Sequence, residues 1–176
     1  MKCCLPYGVA GDNMEITVSA SDNINGTLIL PMYEGVEEIP EECERGLPQG
    51  MKSQINRVLA DGDFKAKKKS TISLIGGEDG KVILAGLGKS GEVSVHDFRK
   101  SVAAVFASIK KVHGNDFTVR FTEAGVAHMA AFAEGMMLRN YSYDEYKMKD
   151  EEETDSEHQV RLTCSEKESE ELSTLV

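Results

Sequence analysis

Apolar and polar residues alternate from residue 14, where Met14, Ile16 and Val18 share one side of Met14-Glu15-Ile16-Thr17-Val18. A period of two predicts a strand with one covered face. A second strand is predicted over Thr27–Tyr33, where Leu28, Ile29 and Leu30 run without a polar break, the pattern of a strand covered on both faces. The acidic stretch 34–46, punctuated by Pro40, is expected to be an exposed loop. Over 48–59 the period changes: Met51, Ile55, Val58 and Leu59 recur at helical spacing, and Gly62 ends the pattern. Residues 70–75 and 81–84 are rich in β-branched and aliphatic side chains. Gly76-Gly77-Glu78-Asp79-Gly80 between them is turn chemistry, so the two runs are expected to form an antiparallel pair.

The clearest predicted helix follows Ser94, a capping residue with Asp97 three positions on; Phe98, Val102, Val105, Phe106, Ile109 and Val112 form its apolar stripe. Residues 117–121 read as a strand again. Strand, helix and strand over 81–121 therefore predict a right-handed βαβ crossover. A further helix is predicted over 123–140, with Ala127, Ala130, Ala131 and Ala133 allowing close approach to a sheet. Met129, Phe132, Met136 and Met137 fill around them, a stripe that belongs to a core rather than to a cofactor box. Residues 149–157 are acidic and expected to be solvated, 158–164 alternate as a last strand, and 165–176 are polar.

This element series is α/β: a mixed β-sheet flanked by helices, in one domain spanning 14–164. Residues 1–13 have no period and are read as an N-terminal extension or cloning scar, with Met14 a candidate native start. Residues 165–176 are read as a polar tail or the start of a linker. A length of 176 residues suffices for one buried core without disulfide staples.

Charge narrows the partners. The net charge is -10, and 12 acids against 4 bases after Tyr141 account for -8 of it. A surface of that sign repels phosphates and argues against sequence-independent nucleic-acid binding. No apolar run approaches the roughly 20 residues a membrane helix requires, and mean hydropathy is -0.32. Cys3, Cys4, Cys43 and Cys164 show no framework spacing, and the N-terminus lacks the sections of a signal peptide, so a reducing cytoplasm is expected. Cys43 lies in Glu41-Glu42-Cys43-Glu44, where carboxylates raise a thiol's pKa and disfavour a catalytic thiolate. His96, His113, His128 and His158 are scattered without ligand spacing.

One local motif points to a ligand. Gly86-Leu87-Gly88-Lys89-Ser90-Gly91 is a G-x-G-x-x-G between a predicted strand and helix. The helix begins only at Ser94, however, and no acid stands about 20 residues on, which favours a glycine-rich structural turn over a dinucleotide cradle. A Walker A loop would need glycine where Ile83 stands. The basic run Lys65, Lys67, Lys68 and Lys69 has no interleaved aromatics and is expected to be solvated.

Longer stretches carry a family resemblance. Lys81-Val82-Ile83-Leu84-Ala85-Gly86-Leu87-Gly88, Phe98-Arg99-Lys100, and Ala133-Glu134-Gly135-Met136-Met137-Leu138-Arg139-Asn140-Tyr141 running into Tyr143-Asp144-Glu145-Tyr146-Lys147 resemble the N-terminal domain of the leucyl aminopeptidases, the cytosolic M17 metallopeptidases. Leu59-Ala60-Asp61-Gly62-Asp63-Phe64-Lys65 is similar to that domain's turn. The resemblance covers 14–164 and implies a macro-domain-like α/β sandwich attached to a larger C-terminal catalytic domain. There, two divalent metals, zinc or manganese, activate a water against an N-terminal peptide bond, and the family assembles as homo-oligomeric hexamers. The family's N-T-D-A-E-G-R signature and its metal-binding lysine and carboxylates have no match in this sequence. No catalytic, cofactor-binding or metal residue is therefore assigned to the chain. The expected role is structural: packing on a catalytic domain and supporting assembly. The alternative, from the macro-like fold, is a module that binds ADP-ribose or a related nucleotide through residues 86–91.

Overall fold

A computed structural model describes residues 14–77, 80–109, 115–121, 125–140, 158–164 and 168. In chain order the elements are β1 (Met14–Ser19), β2 (Thr27–Tyr33), α1 (Glu41–Glu44), α2 (Gln49–Ala60), β3 (Thr71–Ile75), β4 (Lys81–Gly88), α3 (Val95–Ile109), β5 (Asp116–Arg120), α4 (Val126–Asn140) and β6 (His158–Thr163). They build one mixed six-stranded sheet in the order β1-β6-β5-β2-β4-β3. Five strands are mutually parallel, and β3 runs antiparallel to β4.

Alternation along the strands sorts the core into two layers. Leu28, Leu30 and Met32 of β2 and Val82 and Leu84 of β4 pack with Met51, Ile55 and Leu59 of α2. The intervening Ile29, Tyr33, Ile83, Ala85 and Leu87 pack on the other side with Phe98, Val102 and Val105 of α3 and Met129, Phe132 and Met136 of α4. Strand β2 is buried along its whole length, as its continuous apolar run predicts. Pro31 is tolerated in this central strand beyond the pairing with β5, which ends at Ile29. Helices α3 and α4 touch closely at Gly135, where an added Cβ would lie 2.9 Å from Val102 Cγ2 and 3.0 Å from the Arg99 carbonyl oxygen.

The predicted βαβ unit is present, with one strand inserted. Strands β4 and β5 are parallel but not neighbours, because β2 lies between them and pairs with both. The hairpin is also longer than its apolar run: β4 continues to Gly88, so the first two glycines of the G-x-G-x-x-G belong to a strand. Helix α4 begins at Val126, Ala127 on its first turn is exposed, and 122–124 lie outside the described residues.

The acidic stretch 34–46 is a correction. It is not a uniformly exposed loop, because it contains α1, and Ile39 and Cys43 are buried in the α2-side core. The Ile39 N–H donates to Asn56 Oδ1 of α2 at 2.9 Å. One helical turn turns a single side chain inward while Glu41, Glu42 and Glu44 stay at the surface or its margin. Among residues read as core, the side chains of Phe106 and Ile109, and Val112 itself, lie outside the described set. The acidic segment 149–157 and the stretch 141–147 lie outside it as well.

Candidate functional site

In open α/β sheets ligands gather beyond the carboxyl ends of the strands, above all where neighbouring strands send their connections in opposite directions. Here β2, whose chain leaves toward α2, has such a place on each side, beside β5, whose chain leaves toward α4, and beside β4, whose chain leaves toward α3 on the same face. The place beside β5 is filled by the protein. Arg120, at the end of β5, is buried, and its Nη1 donates to the carbonyls of Cys43 and Arg45 while Nη2 donates to that of Asp22 at 2.9 Å. One guanidinium thus ties the α1 segment and the 20–26 loop to the sheet. Sequence reading passed over Arg120; the available signal was a cation at a position that strand alternation places on a covered face.

Cys43 is next to this tie and is fully buried. Burial is the main reason its pKa is pushed up to about 12; Arg120 opposes the shift and Glu42 adds to it. The sequence anticipated the direction from the glutamates alone. The thiol is inert as a nucleophile, with Sγ placed 4.0 Å from the Phe121 carbonyl oxygen. Cys164 is held up, to about 11, chiefly by burial with a contribution from Glu168.

The glycine motif begins at the end of β4, and its first two glycines serve close approach of the chain to itself, whereas a Cβ on Gly91 would meet nothing within 4 Å. A Cβ on Gly86 would fall on the Lys67 carbonyl oxygen and Ser70 Oγ. Residues 66–70 fold tightly over this point: the Lys69 N–H donates to Gly86 O at 3.2 Å, Gly86 N–H to Ser70 O at 2.8 Å, and Gly88 N–H to Ala66 O at 2.9 Å. Ala66 and Lys69 adopt positive φ of 49° and 66° to make the turn. Such non-glycine conformations are stabilised only by surrounding bonds. Gly88 itself has φ +92° and lies against the Lys68 side chain.

The start of α3 beyond the motif is already provided with an anion. Ser94 and Asp97 form the reciprocal cap read from sequence: Asp97 N–H donates to Ser94 Oγ at 3.2 Å, and Ser94 N–H to Asp97 Oδ2 at 3.1 Å. Lys68 Nζ lies 3.2 Å from the same Oδ2, so one of the four lysines of the basic run is held in an ion pair rather than merely solvated. Hydrogen bonds from Ser94, backbone first and hydroxyl second, and then from Lys68 hold Asp97 down to about 2. A phosphate brought here would meet a carboxylate on the helix dipole.

This cap gives a measurable acid response. A carboxyl depressed in the folded state adds stability above its unfolded pKa of about 3.9, and that contribution disappears as pH falls through about 2. The urea midpoints of the parent and Asp97→Asn are therefore expected to differ at neutral pH and to converge between about pH 4 and pH 2. An equal gap at both extremes would refute the assignment.

Among the described residues no group of three or more His, Cys, Asp or Glu side chains could hold a metal ion. His96 is exposed, His128 lies 4.8 Å from the Phe98 ring and His158 lies 5.9 Å from Phe117. The described residues therefore do not fit the two-metal centre that the resemblance implies for a catalytic domain. Among them, too, no helix is long and apolar enough to cross a membrane.

Known proteins supply the identity. A protein described as a probable cytosol aminopeptidase from Rhizobium etli is 28% identical over 155 residues, covering 85% of this chain and 31% of its own length. A relative so described from Protochlamydia amoebophila is 33% identical over 132 residues, 72% of this chain and 26% of its own. The chain thus spans between a quarter and a third of the length of these relatives. Among solved structures, a mutant of tomato leucine aminopeptidase superposes with a TM-score of 0.68 over 97% of this chain and 37% of its own, at 17% identity. The bottromycin maturation enzyme BotP, in complex with Mn, gives 0.56 over 85% of this chain and 28% of its own, at 16% identity. Both share the fold. Residues 29–150 match the model of the cytosol aminopeptidase family, N-terminal domain, and the chain therefore belongs to the cytosol aminopeptidase family through that domain.

Proposed function

We propose that the chain is the non-catalytic N-terminal domain of a cytoplasmic metallo-aminopeptidase. Its parent would remove N-terminal residues from peptides with two divalent metals, zinc or manganese, held by a C-terminal catalytic domain. The domain's own work is to pack on that catalytic domain and to support a homo-oligomer, a hexamer in the parent. The observation that carries this reading is the match of 29–150 to the family's N-terminal domain, with only 31% and 26% of the length of the two relatives covered. Two-metal hydrolysis requires several ligands converging on ions about 3.5 to 4 Å apart, and the described side chains offer no such group. The nucleotide-module alternative gains no support from the glycine motif, since the chain's own 66–70 segment and Asp97 occupy the places a phosphate would use.

The purified chain is expected to show no turnover of leucine p-nitroanilide with added manganese or zinc. The longer protein encoded with the downstream reading frame is expected to hydrolyse it in a metal-dependent way. Turnover by the chain alone that survives repurification would overturn the reading. Calorimetric binding of ADP-ribose tighter than about 100 μM, near -5.5 kcal/mol, would replace it with the nucleotide module.

A further inference from the structure

Asn25 and Gly26 form the one Asn-Gly pair in the sequence and end the loop before β2. Asparagine followed by glycine is a chemically labile pair, because no Cβ on the second residue obstructs attack of its nitrogen on the carboxamide carbon. The fold requires this glycine. Gly26 has φ +67°, and a Cβ there would fall on the Asp116 carbonyl oxygen, so neither the backbone conformation nor the space admits a larger residue.

The surroundings of Asn25 act on its carboxamide. Its Oδ1 faces the Arg161 guanidinium of β6 and accepts from Nη1 and Nη2 at 3.0 Å each, the orientation in which amide and donors are matched. Asn25 is exposed, so water reaches it, and Arg161 is half-buried. Attack by the Gly26 nitrogen would form an N–Cγ bond and put negative charge on Oδ1, where the two guanidinium donors already lie. The Cγ–Nδ2 bond then breaks, and ammonia leaves with the proton that the Gly26 nitrogen gives up. Water opens the resulting succinimide at Cγ, which restores the peptide bond and leaves a carboxylate on the side chain of residue 25. That carboxylate would face Arg161 in a charge-assisted pair, stronger than the present contact with a neutral amide.

The other ring opening, at the main-chain carbonyl, would route the chain through Cβ and Cγ and lengthen it by one carbon. Residues 25 and 26 are held too closely for that. The Asn25 N–H donates to Thr118 Oγ1 at 2.9 Å, Thr118 Oγ1 donates to the Asn25 carbonyl oxygen at 3.0 Å, and Gly26 lies against the Asp116 backbone. The fold therefore favours the normal aspartyl linkage over isoaspartate.

We propose that Asn25 is a site of spontaneous deamidation, promoted by Arg161, which converts the neutral contact between the 20–26 loop and β6 into an ion pair.

The test uses the whole 176-residue chain, incubated over days at neutral and mildly alkaline pH. Peptide mapping by mass spectrometry locates the reaction, and isoaspartyl methyltransferase labelling reads the linkage. Asn25 is expected to react ahead of Asn23 and Asn56, which precede Ile24 and Arg57, and faster at the higher pH, where the attacking N–H loses its proton more readily. The folded chain is expected to yield mainly aspartate, and the chain unfolded in urea mainly isoaspartate. Arg161→Gln, with an unchanged circular dichroism spectrum, is expected to slow the reaction at Asn25 by about fivefold, less than loss of a donor costs in an enclosed oxyanion site because Asn25 is open to water. Arg161→Lys, which keeps the charge without the planar fork, should fall between the two and serves where the glutamine variant does not fold. An intact Asn25, an equal or faster rate in both Arg161 variants, or isoaspartate predominating in the folded chain would overturn the proposal.

Discussion

Gly86→Ala is expected to lower the urea midpoint by about 2 M, a loss of about 4 kcal/mol at a slope of about 2 kcal/mol/M. The single added carbon would occupy the position of the Lys67 carbonyl oxygen, and backbone cannot rotate aside as a flexible side chain can. Relief requires residues 66–70 to lift from β4. That movement would break the Lys69, Gly86 and Gly88 hydrogen bonds across the junction. Overpacking of this kind costs about 1 to 3 kcal/mol, and each lost bond adds about 1. Gly125→Ala is the matched control: it has no positive φ, and its nearest neighbour, His128 Nδ1, is 3.7 Å from the new carbon. Its midpoint should move by less than about 0.3 M, the scale of an ordinary surface substitution. If Gly86→Ala unfolds with the parent, the glycine is a turn residue with no packing role.

Arg120→Met is expected to cost about 3 kcal/mol. Methionine fills much of the volume but leaves the carbonyls of Asp22, Cys43 and Arg45 without the donors they now share. Each buried group left unsatisfied costs about 1 to 3 kcal/mol, reduced where water can enter. Arg120→Lys keeps the charge, but an ammonium cannot reproduce the planar fork and should recover only part of the loss. Thiol labelling gives a second readout. Cys43 should resist alkylation in the parent, since it is buried and held protonated. It should react faster in Arg120→Met, as the α1 segment loses its tie to β5. Equal stability and equal labelling would show that Arg120 holds nothing in place.

These two sites differ in how far they could be read from the sequence. Gly86 was visible as part of a glycine motif, but the motif's usual meaning, a cradle for phosphates, is the wrong one for a residue within β4. Arg120 showed along the chain only as a cation on a covered strand face, and its role was hidden because its partners lie 75 to 98 residues away. The Ser94–Asp97 cap was read correctly with its partners, since both lie within one helical turn. Cys43 shows an intermediate case: neighbouring glutamates gave the right direction for its pKa, whereas the dominant cause, burial, depends on α2 and β5.

The local elements and the family resemblance were legible along the chain alone. Alternation, helical spacing and turn residues act over a few positions, and their free energies are set by neighbours along the chain. Among the described residues the elements consequently lie close to where the pattern puts them, apart from α1. Three features emerge only in the folded molecule: β2 enters between β4 and β5, an acidic stretch sends Cys43 into the core, and Gly86 and Gly88 of a ligand-like motif receive the chain's own 66–70 turn. Each of these depends on surfaces brought together across long loops. Burial and backbone pairing there are properties of the assembled sheet, which no window along the chain contains.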